Sequence, residues 1–278
     1  NIKLILLIYI NLNIYKIVFF LQEEKMRLKN KVAIITGSAS GFGEGIAQRF
    51  AKEGASVLLA DINKDGAEKV ATEINDQGGK AKAHQVDVSS SNQVKEMLNR
   101  ASEVYGKLDI LVQNAAIGMN AKPLINTSEE EFDALFNINV KSVYLGAIHS
   151  FPIFKKQNTG GVIINTVSTA ALRPRPGLTV YNSTKGALVT MTKGMSLEFA
   201  PEKIRVNGLC PVAGDTAMLD GFLGDGPKDE SYSRFVSTVP LGRLCQPRDM
   251  ANAALYLCSD EADFITGVML EVDGGRCV

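Results

Sequence analysis

Short apolar runs alternate with amphipathic segments along most of the chain. Between the runs, apolar residues recur at helical spacing, as at Ile46, Ala47, Phe50 and Ala51. The runs predict buried strands near residues 32–36, 56–60, 81–86, 109–113, 161–166, 204–208 and 268–272. This alternation predicts an α/β fold, a single doubly wound domain whose seven-stranded parallel sheet has helices on both faces.

The segment before the last predicted strand lacks this pattern. From Asp215 to about Val239 it contains Gly221, Gly224, Gly226 and Pro227, and no strand is predicted there. In a doubly wound fold a long segment at this place predicts a substrate lid, at about residues 215–239. An irregular surface loop is the alternative.

Residues 1–25 differ from the rest of the chain. Asn, Ile, Lys, Leu, Tyr and Phe make up 21 of these 25 residues, a composition typical of translated AT-rich DNA. The longest uncharged run, residues 4–15, is too short for a membrane span, and no small-residue cleavage site precedes Met26. Gln22 to Lys25 can be encoded by bases that contain a bacterial ribosome-binding sequence. We interpret residues 1–25 as a non-native upstream translation or a disordered extension, and residues 26–278 as the domain. A membrane-surface anchor is the alternative.

Composition excludes several classes of function. The chain has 278 residues, 45% apolar and 22% charged, which suits one domain with a large core. Its 30 basic residues balance its 30 acidic ones, so we expect no nucleic-acid partner, and we expect no membrane partner either. The four cysteines lack metal-site spacing and predict reduced cytoplasmic thiols. We expect structural roles for His84 and His149, and no metal site.

Candidate chemistry is concentrated in three polar residues. Tyr181 and Lys185 are four residues apart, so they share one face of a helix, and Ser168 precedes Tyr181 by thirteen residues. A free phenol has a pKa of about 10, and a neighbouring ammonium lowers that pKa. The spacing therefore predicts that Tyr181 transfers a proton while Ser168 holds a substrate oxygen. An exposed Tyr–Lys pair on a helix is the alternative.

A glycine-rich turn follows the first predicted strand. Gly37, Gly41, Gly43 and Gly45 separate this strand from the helical pattern that begins at Ile46. Strand, glycine turn and helix together are typical of a dinucleotide site, because the turn lets the backbone approach the pyrophosphate at the helix N-terminus. A flexible loop of the same composition is the alternative.

An acidic residue ends the second predicted strand. Asp61 follows Gly37 by 24 residues, near the distance expected for a carboxylate that binds ribose hydroxyls. The next residues, Ile62 and Asn63, carry no positive charge, and neither does Ser38. We therefore predict NAD rather than NADP as the cofactor. The alternative is that Asp61 caps the following helix.

In this order, the motifs resemble those of the short-chain dehydrogenase/reductase family, over about residues 28 to 278. The stretch from Thr36 to Gly43 resembles the family's cofactor loop, with Phe42 where an aliphatic residue is usual. In the loop after the sixth strand, Val212 stands where glycine is usual. The resemblance implies a Rossmann fold and cofactor contacts from Gly37, Ser40, Gly41, Phe42, Gly43, Asp61, Ile62, Asp87, Val88, Asn114, Ala115, Tyr181, Lys185, Pro211, Val212 and Thr216.

The resemblance also completes the catalytic set. Asn139 matches the asparagine that joins Ser168, Tyr181 and Lys185 in the family's tetrad, where it places a water that links the lysine to solvent. The resemblance implies NAD(H)-dependent interconversion of a secondary alcohol and a ketone. Reduction of a 3-oxoacyl thioester on acyl carrier protein is the alternative, and a non-catalytic dinucleotide sensor is a remoter one.

Two further expectations concern partners. The resemblance implies that the helix predicted from Val180 to Phe199 packs across a subunit interface, in a homotetramer or a homodimer. Arg173 and Arg175, between Ser168 and Tyr181, are candidates for binding a substrate carboxylate, phosphate or sulfonate. Surface or intersubunit contacts are the alternative for these arginines.

Overall fold

The computed structural model describes residues 26–214, 216, 218–223 and 228–278. These residues contain one parallel sheet of seven strands in the order 3-2-1-4-5-6-7, which confirms the predicted fold class. The strands are β1 (Val32–Thr36), β2 (Ser56–Asp61), β3 (Lys80–Gln85), β4 (Ile110–Gln113), β5 (Gly161–Thr166), β6 (Ile204–Pro211) and β7 (Met269–Val272). Each overlaps its predicted run, and β6 extends furthest beyond the prediction.

Helices cover both faces of the sheet. They are α1 (Gly41–Lys52), α2 (Lys64–Asp76), α3 (Ser91–Tyr105), α4 (Glu129–Phe136), α5 (Ser142–Gln157), α6 (Thr179–Phe199), α7 (Leu219–Leu223), α8 (Lys228–Val236) and α9 (Pro247–Cys258). Strand β1 shows how the core divides. Ala33 and Ile35 pack with α1, α2 and α9, whereas Val32 and Ile34 pack with α3 and α5. Both sets of side chains are buried, because a parallel sheet is covered on both sides.

The strand order reverses beside β1. This strand pairs with β2 on one side and with β4 on the other, so the two halves of the sheet wind away from each other. In an open α/β sheet, the carboxyl ends of the strands at this reversal form a crevice for a ligand. The fold therefore places the ends of β1 and β4 at the expected site.

The predicted lid is partly helical. Within the described part of residues 215–239, α7 and α8 are the regular elements, and Leu219 and Phe235 are buried against the domain. Residues 1–25 lie outside the described residues, as do Asp215, Gly224, Gly226 and Pro227. The role of residues 215–239 as a substrate lid stays a prediction. Among the described helices, none combines the length and apolarity needed to cross a membrane.

Candidate active site

A cavity of about 610 Å³ opens at the carboxyl ends of the central strands. It extends from Asp61 at the end of β2 to Tyr181 and Lys185 on α6. The predicted residues on its wall are Gly37, Ser40, Gly41, Phe42, Asp61, Ile62, Asp87, Val88, Asn114, Ala115, Ser168, Tyr181, Lys185, Pro211, Val212 and Thr216. Gly43 and Asn139 were also predicted as site residues, but they do not line the cavity.

The glycine turn allows close backbone packing. Gly37 and Gly41 have positive φ angles of 64° and 61°, which side-chain-bearing residues rarely adopt. A Cβ on Gly43 would overlap the carbonyl oxygen of Gly37. The predicted contact between Gly43 and the cofactor stays a prediction, and the structure gives Gly43 a packing role, in which it lets α1 approach the turn after β1.

Phe42, the unusual residue of this turn, packs against the loop after β6. A Cβ on Gly214 would overlap the ring of Phe42. The bulky Phe42 is therefore accommodated by a glycine in the loop whose Val212 also departs from the family pattern. Phe42 and Val212 therefore belong to the two segments that meet at the contact between Phe42 and Gly214.

Gly214→Ala should destabilise the protein by about 1–3 kcal/mol, because the added methyl has no space beside Phe42. Phe42→Leu should recover most of that loss in the double variant, since the smaller side chain vacates the space. Urea unfolding of the two single variants and the double variant measures this coupling. Additive effects of the two substitutions would contradict the contact.

Asp61 holds the loop that joins β2 to α2. Its two carboxylate oxygens accept hydrogen bonds from the backbone N–H groups of Ala39 and Asn63, both at 2.9 Å. The N-cap of α2 is Asn63, whose side chain accepts from the backbone of Gly66 at 3.1 Å. The interpretation of Asp61 as the helix cap is therefore wrong, and its carboxylate lies on the cavity wall.

Asn114 ties three strands together. Its side-chain amide donates to the carbonyl oxygens of Thr36 at 3.1 Å and Gly37 at 3.0 Å, and its oxygen accepts from Thr166 at 3.2 Å. The Thr36 hydroxyl in turn accepts from the backbone of Asn114 and Ala115, both at 3.0 Å. These bonds fix the turn after β1 against the ends of β4 and β5. Thr36 was missed as a site residue, although it directly precedes the glycine turn.

Ser168, Tyr181 and Lys185 meet at the other end of the cavity. Ser168 follows β5, and its hydroxyl accepts from the backbone of Ala170 at 3.1 Å. The Lys185 ammonium lies 5.8 Å from the centre of the Tyr181 ring and donates to the carbonyl oxygen of Thr166 at 2.9 Å. The structure therefore brings together three of the four predicted catalytic residues on one wall.

Burial dominates the electrostatics of this pair. It raises the pKa of Tyr181 to about 12, and a hydrogen bond with Ser168 opposes this rise. Burial also lowers the pKa of Lys185 to about 8, with the nearby Cys210 thiol acting in the opposite direction. The sequence predicted that Lys185 lowers the pKa of Tyr181. In the structure, desolvation of the phenol is the larger effect.

Asn139 lies in a short π-helix, Asn137–Lys141, between α4 and α5. Its side-chain oxygen accepts from the backbone of Ile117 at 2.8 Å, and its nitrogen donates to the Ile117 carbonyl at 3.0 Å and to Thr184 at 3.2 Å. Asn139 thus joins the loop after β4 to α6, beside Lys185. Its predicted role in placing a water stays a prediction, and the observed bonds give it a positioning role.

The wall near Tyr181 includes residues that the sequence did not indicate. The Phe222 ring lies 5.1 Å from the Tyr181 ring, between ring centres. Further wall residues that were missed include Leu178, Met218, Phe235 and Arg276. They come from the N-cap of α6, from the segment after β6 and from the chain end, so no local sequence pattern links them.

Comparison with known proteins places this geometry in context. A family model described as enoyl-(acyl carrier protein) reductase matches residues 37–276. The chain is 46% identical to 4-formylbenzenesulfonate dehydrogenase of Comamonas testosteroni, over 90% of this chain and 99% of that protein. It is 36% identical to a 3-oxoacyl-[acyl-carrier-protein] reductase of Thermotoga maritima, over 91% of this chain and 100% of that protein.

A solved structure is similar over the same region. It is a 3-ketoacyl-(acyl-carrier-protein) reductase from Brucella melitensis in complex with NADH, with a TM-score of 0.85 and 46% identity. The match covers 90% of this chain and 100% of that chain. The region matched by the family model, residues 37–276, contains every wall residue named above.

Proposed function

Because the chain belongs to the short-chain dehydrogenase/reductase family, we propose that it interconverts a secondary alcohol and a ketone, with NAD(H) as the preferred cofactor. One observation carries this proposal. A single cavity holds Ser168, Tyr181 and Lys185 at one end and the glycine turn with Asp61 at the other. This arrangement suits the chemistry of a dinucleotide whose nicotinamide end lies beside a proton donor.

The protein residues would act in the following way. The bound cofactor supplies the hydride chemistry. In reduction, Tyr181 donates its proton to the carbonyl oxygen, and Ser168 donates a hydrogen bond to the same oxygen. In oxidation, the phenolate form of Tyr181 accepts the hydroxyl proton, and the ammonium of Lys185 favours that phenolate form. The N-terminus of α1 would hold the pyrophosphate, and Asp61 would accept from the ribose hydroxyls.

A panel of secondary alcohols and ketones, followed at 340 nm with both cofactors, tests the proposal. Turnover of at least one pair with NAD(H) is expected. NADH binding without turnover of any pair would instead favour a dinucleotide sensor.

A second candidate is reduction of a 3-oxoacyl thioester. The names of the Thermotoga maritima and Brucella melitensis proteins favour it. Acetoacetyl-coenzyme A belongs in the panel for this reason, and it should be a poorer substrate than the best simple ketone. The names of the relatives differ widely, so the substrate of this chain depends on its own cavity wall.

Asp61→Asn should lower the preference for NAD over NADP by about ten- to a hundredfold, because a carboxylate repels a 2′-phosphate and a neutral amide does not. The ratio of kcat/KM for the two cofactors measures this preference. General structural damage would lower kcat/KM for both cofactors alike, so a change in their ratio reports the loss of the Asp61 charge. Asp65→Asn is the matched control, since it removes a nearby exposed charge from α2. A wild-type preference for NADP would overturn the assignment.

We also propose a homotetramer. Tyr144 and Ile148 are exposed on one face of α5, and Leu197 on α6 and Phe264 before β7 are 78% and 100% exposed. Such large apolar side chains are typical of subunit interfaces. Light scattering should give four chain masses, with a dimer as the alternative, and a monomer would contradict the proposal.

We place the enzyme in the bacterial cytoplasm. Cys210, Cys245, Cys258 and Cys277 are all free thiols, as expected in a reducing compartment. The relatives described above are bacterial proteins. Fractionation of the native cells, with detection of the enzyme in each fraction, tests this location.

A further inference from the structure

Two arginines converge at the Tyr181 end of the cavity. Arg175 comes from the loop before α6 and Arg276 from the chain end after β7, and both line the cavity. Their guanidinium carbons lie 4.4 Å and 5.5 Å from the centre of the same Phe235 ring, which α8 supplies. Three distant parts of the chain therefore build one positively charged corner.

Neither arginine has an acidic partner among the residues that the structure describes. Among the described residues, the Arg175 guanidinium has no hydrogen-bond acceptor. Arg276 donates from Nε to the Thr238 hydroxyl at 3.1 Å. Arg205 is different, because its nitrogens donate to three backbone carbonyls. Arg276 is only 9% exposed, so leaving its charge without an anion is costly.

The two charges also oppose each other. Burial lowers the pKa of Arg175, and the positive charge of Arg276 lowers it further. An anion at this corner would relieve the repulsion and accept several charge-assisted hydrogen bonds. The corner is therefore complementary to a carboxylate, a sulfonate or a phosphate.

The corner lies on the substrate side of the cavity. The Arg175 carbonyl oxygen accepts from the side chain of Asn182, the residue after Tyr181, at 2.9 Å. The phosphate-binding turn and Asp61 lie at the ends of β1 and β2 instead. Leu178, Phe222 and Phe235 give the wall near Arg175 an apolar lining. A substrate bound here would combine an apolar body with an anionic end.

We propose that Arg175 and Arg276 bind an anionic group of the substrate and so make the enzyme selective for carbonyl and alcohol compounds that carry one. This rests on the proposed function, because it assumes that the reacting carbon lies at Tyr181. Arg173 has another role. Its side chain is exposed, and its Nη1 donates to the Arg276 carbonyl oxygen at 2.7 Å, which holds the chain end in place. Of the two arginines that the sequence indicated, only Arg175 faces the cavity.

The test compares 4-acetylbenzoate with its neutral methyl ester as substrates for NADH-dependent reduction. Wild type should favour the acid by about ten- to a hundredfold in kcat/KM, the range expected for hydrogen bonds to charged groups. Arg175→Met and Arg276→Met should each reduce this preference, and the double variant should abolish it. In these arginine variants, the KM for NADH and the turnover of the ester should each change by less than about twofold.

Arg234→Met is the matched control, because Arg234 is an exposed arginine next to Phe235 on α8. It should keep the full preference for the acid. Arg276→Lys guards against misfolding of the buried variant, since it keeps the charge but loses the fork geometry, and it should retain part of the preference.

Four outcomes decide the proposal. Equal turnover of the acid and the ester by wild type would overturn it and leave the proposed function intact. A rise in the KM for NADH in the arginine variants would overturn it too, because the arginines would then serve the cofactor. If no carbonyl compound is turned over, calorimetry with benzoate in the presence of NADH separates failure of the anion site from failure of the proposed function. Loss of benzoate binding in the double variant supports the anion site without any turnover, and equal binding overturns it.

Discussion

Tyr181→Phe is expected to lower kcat by about 10²- to 10⁴-fold, the usual contribution of a positioned acid or base. The substitution removes one oxygen from a buried side chain that lines the cavity beside Ser168 and Lys185. Because burial holds the pKa of Tyr181 at about 12, the phenol is protonated at neutral pH and ready to donate in reduction. The ring remains, so its packing against Phe222 is retained.

Binding and stability should change little in this variant. The Kd for NADH, measured by fluorescence titration, should stay within about twofold of wild type. The substitution removes a group that the chemical step needs and that NADH binding does not. Tyr256→Phe, at an exposed position on α9, is the control and should keep full turnover. Near-normal kcat in Tyr181→Phe would overturn the catalytic role and with it the proposed mechanism.

The sequence predicts the sheet well because β1, β2, β4 and β5 are buried on both faces. Their apolar runs are short and continuous, and Gly or Asp marks several of their ends. The glycine turn and Asp61 are also local features, so the end of the cavity that they line is largely predictable. The alternative that Asp61 caps α2 stayed open in the sequence because both Asp61 and Asn63 are good cap residues, and only the backbone geometry distinguishes them.

The end of the cavity near Tyr181 is much less predictable. Arg175, Phe235 and Arg276 are far apart in the chain, and they meet only because α6, α8 and the end of β7 pack around the same cavity. No periodicity in the sequence encodes that meeting. The upward shift in the pKa of Tyr181 was also missed. The spacing reveals the neighbouring charge of Lys185 but not how deeply Tyr181 is buried.

Lys185→Met should lower kcat/KM by at least about a hundredfold and at the same time raise the melting temperature at pH 7. The ammonium is only 2% exposed, and burial lowers its pKa from 10.5 to about 8. That fall means that keeping the side chain protonated at pH 7 costs the folded state about 3 kcal/mol relative to the unfolded state. Methionine has a similar volume and carries no charge, so it avoids this cost.

The sign of the pH dependence follows from the direction of the shift. The pKa of Lys185 is lower in the folded state than in the unfolded state, so between pH 8 and pH 10.5 the unfolded state binds more protons. Wild-type stability therefore gains from this group as pH rises through that window. The stability advantage of Lys185→Met should be largest below pH 8 and should shrink toward pH 10.5. Urea unfolding at pH 7, 8, 9 and 10 measures it, with exposed Lys193→Met on α6 as the control.

One lost hydrogen bond opposes the gain, and its magnitude decides the net sign. Lys185 donates to the Thr166 carbonyl oxygen, and losing such a bond to a charged donor costs about 1.5–3 kcal/mol if the acceptor finds no new partner. Thr166 is buried but lines the cavity, so we take the smaller cost, that of a carbonyl oxygen which gains a cavity water as its new donor. The net gain is then about 1.5 kcal/mol, or about 3–6 °C in melting temperature for a domain of this size. A variant that melts lower than wild type at pH 7 would show that the buried ammonium stabilises the fold. The expected result, higher stability with little turnover, would mean that Lys185 is retained for its chemistry at the expense of stability.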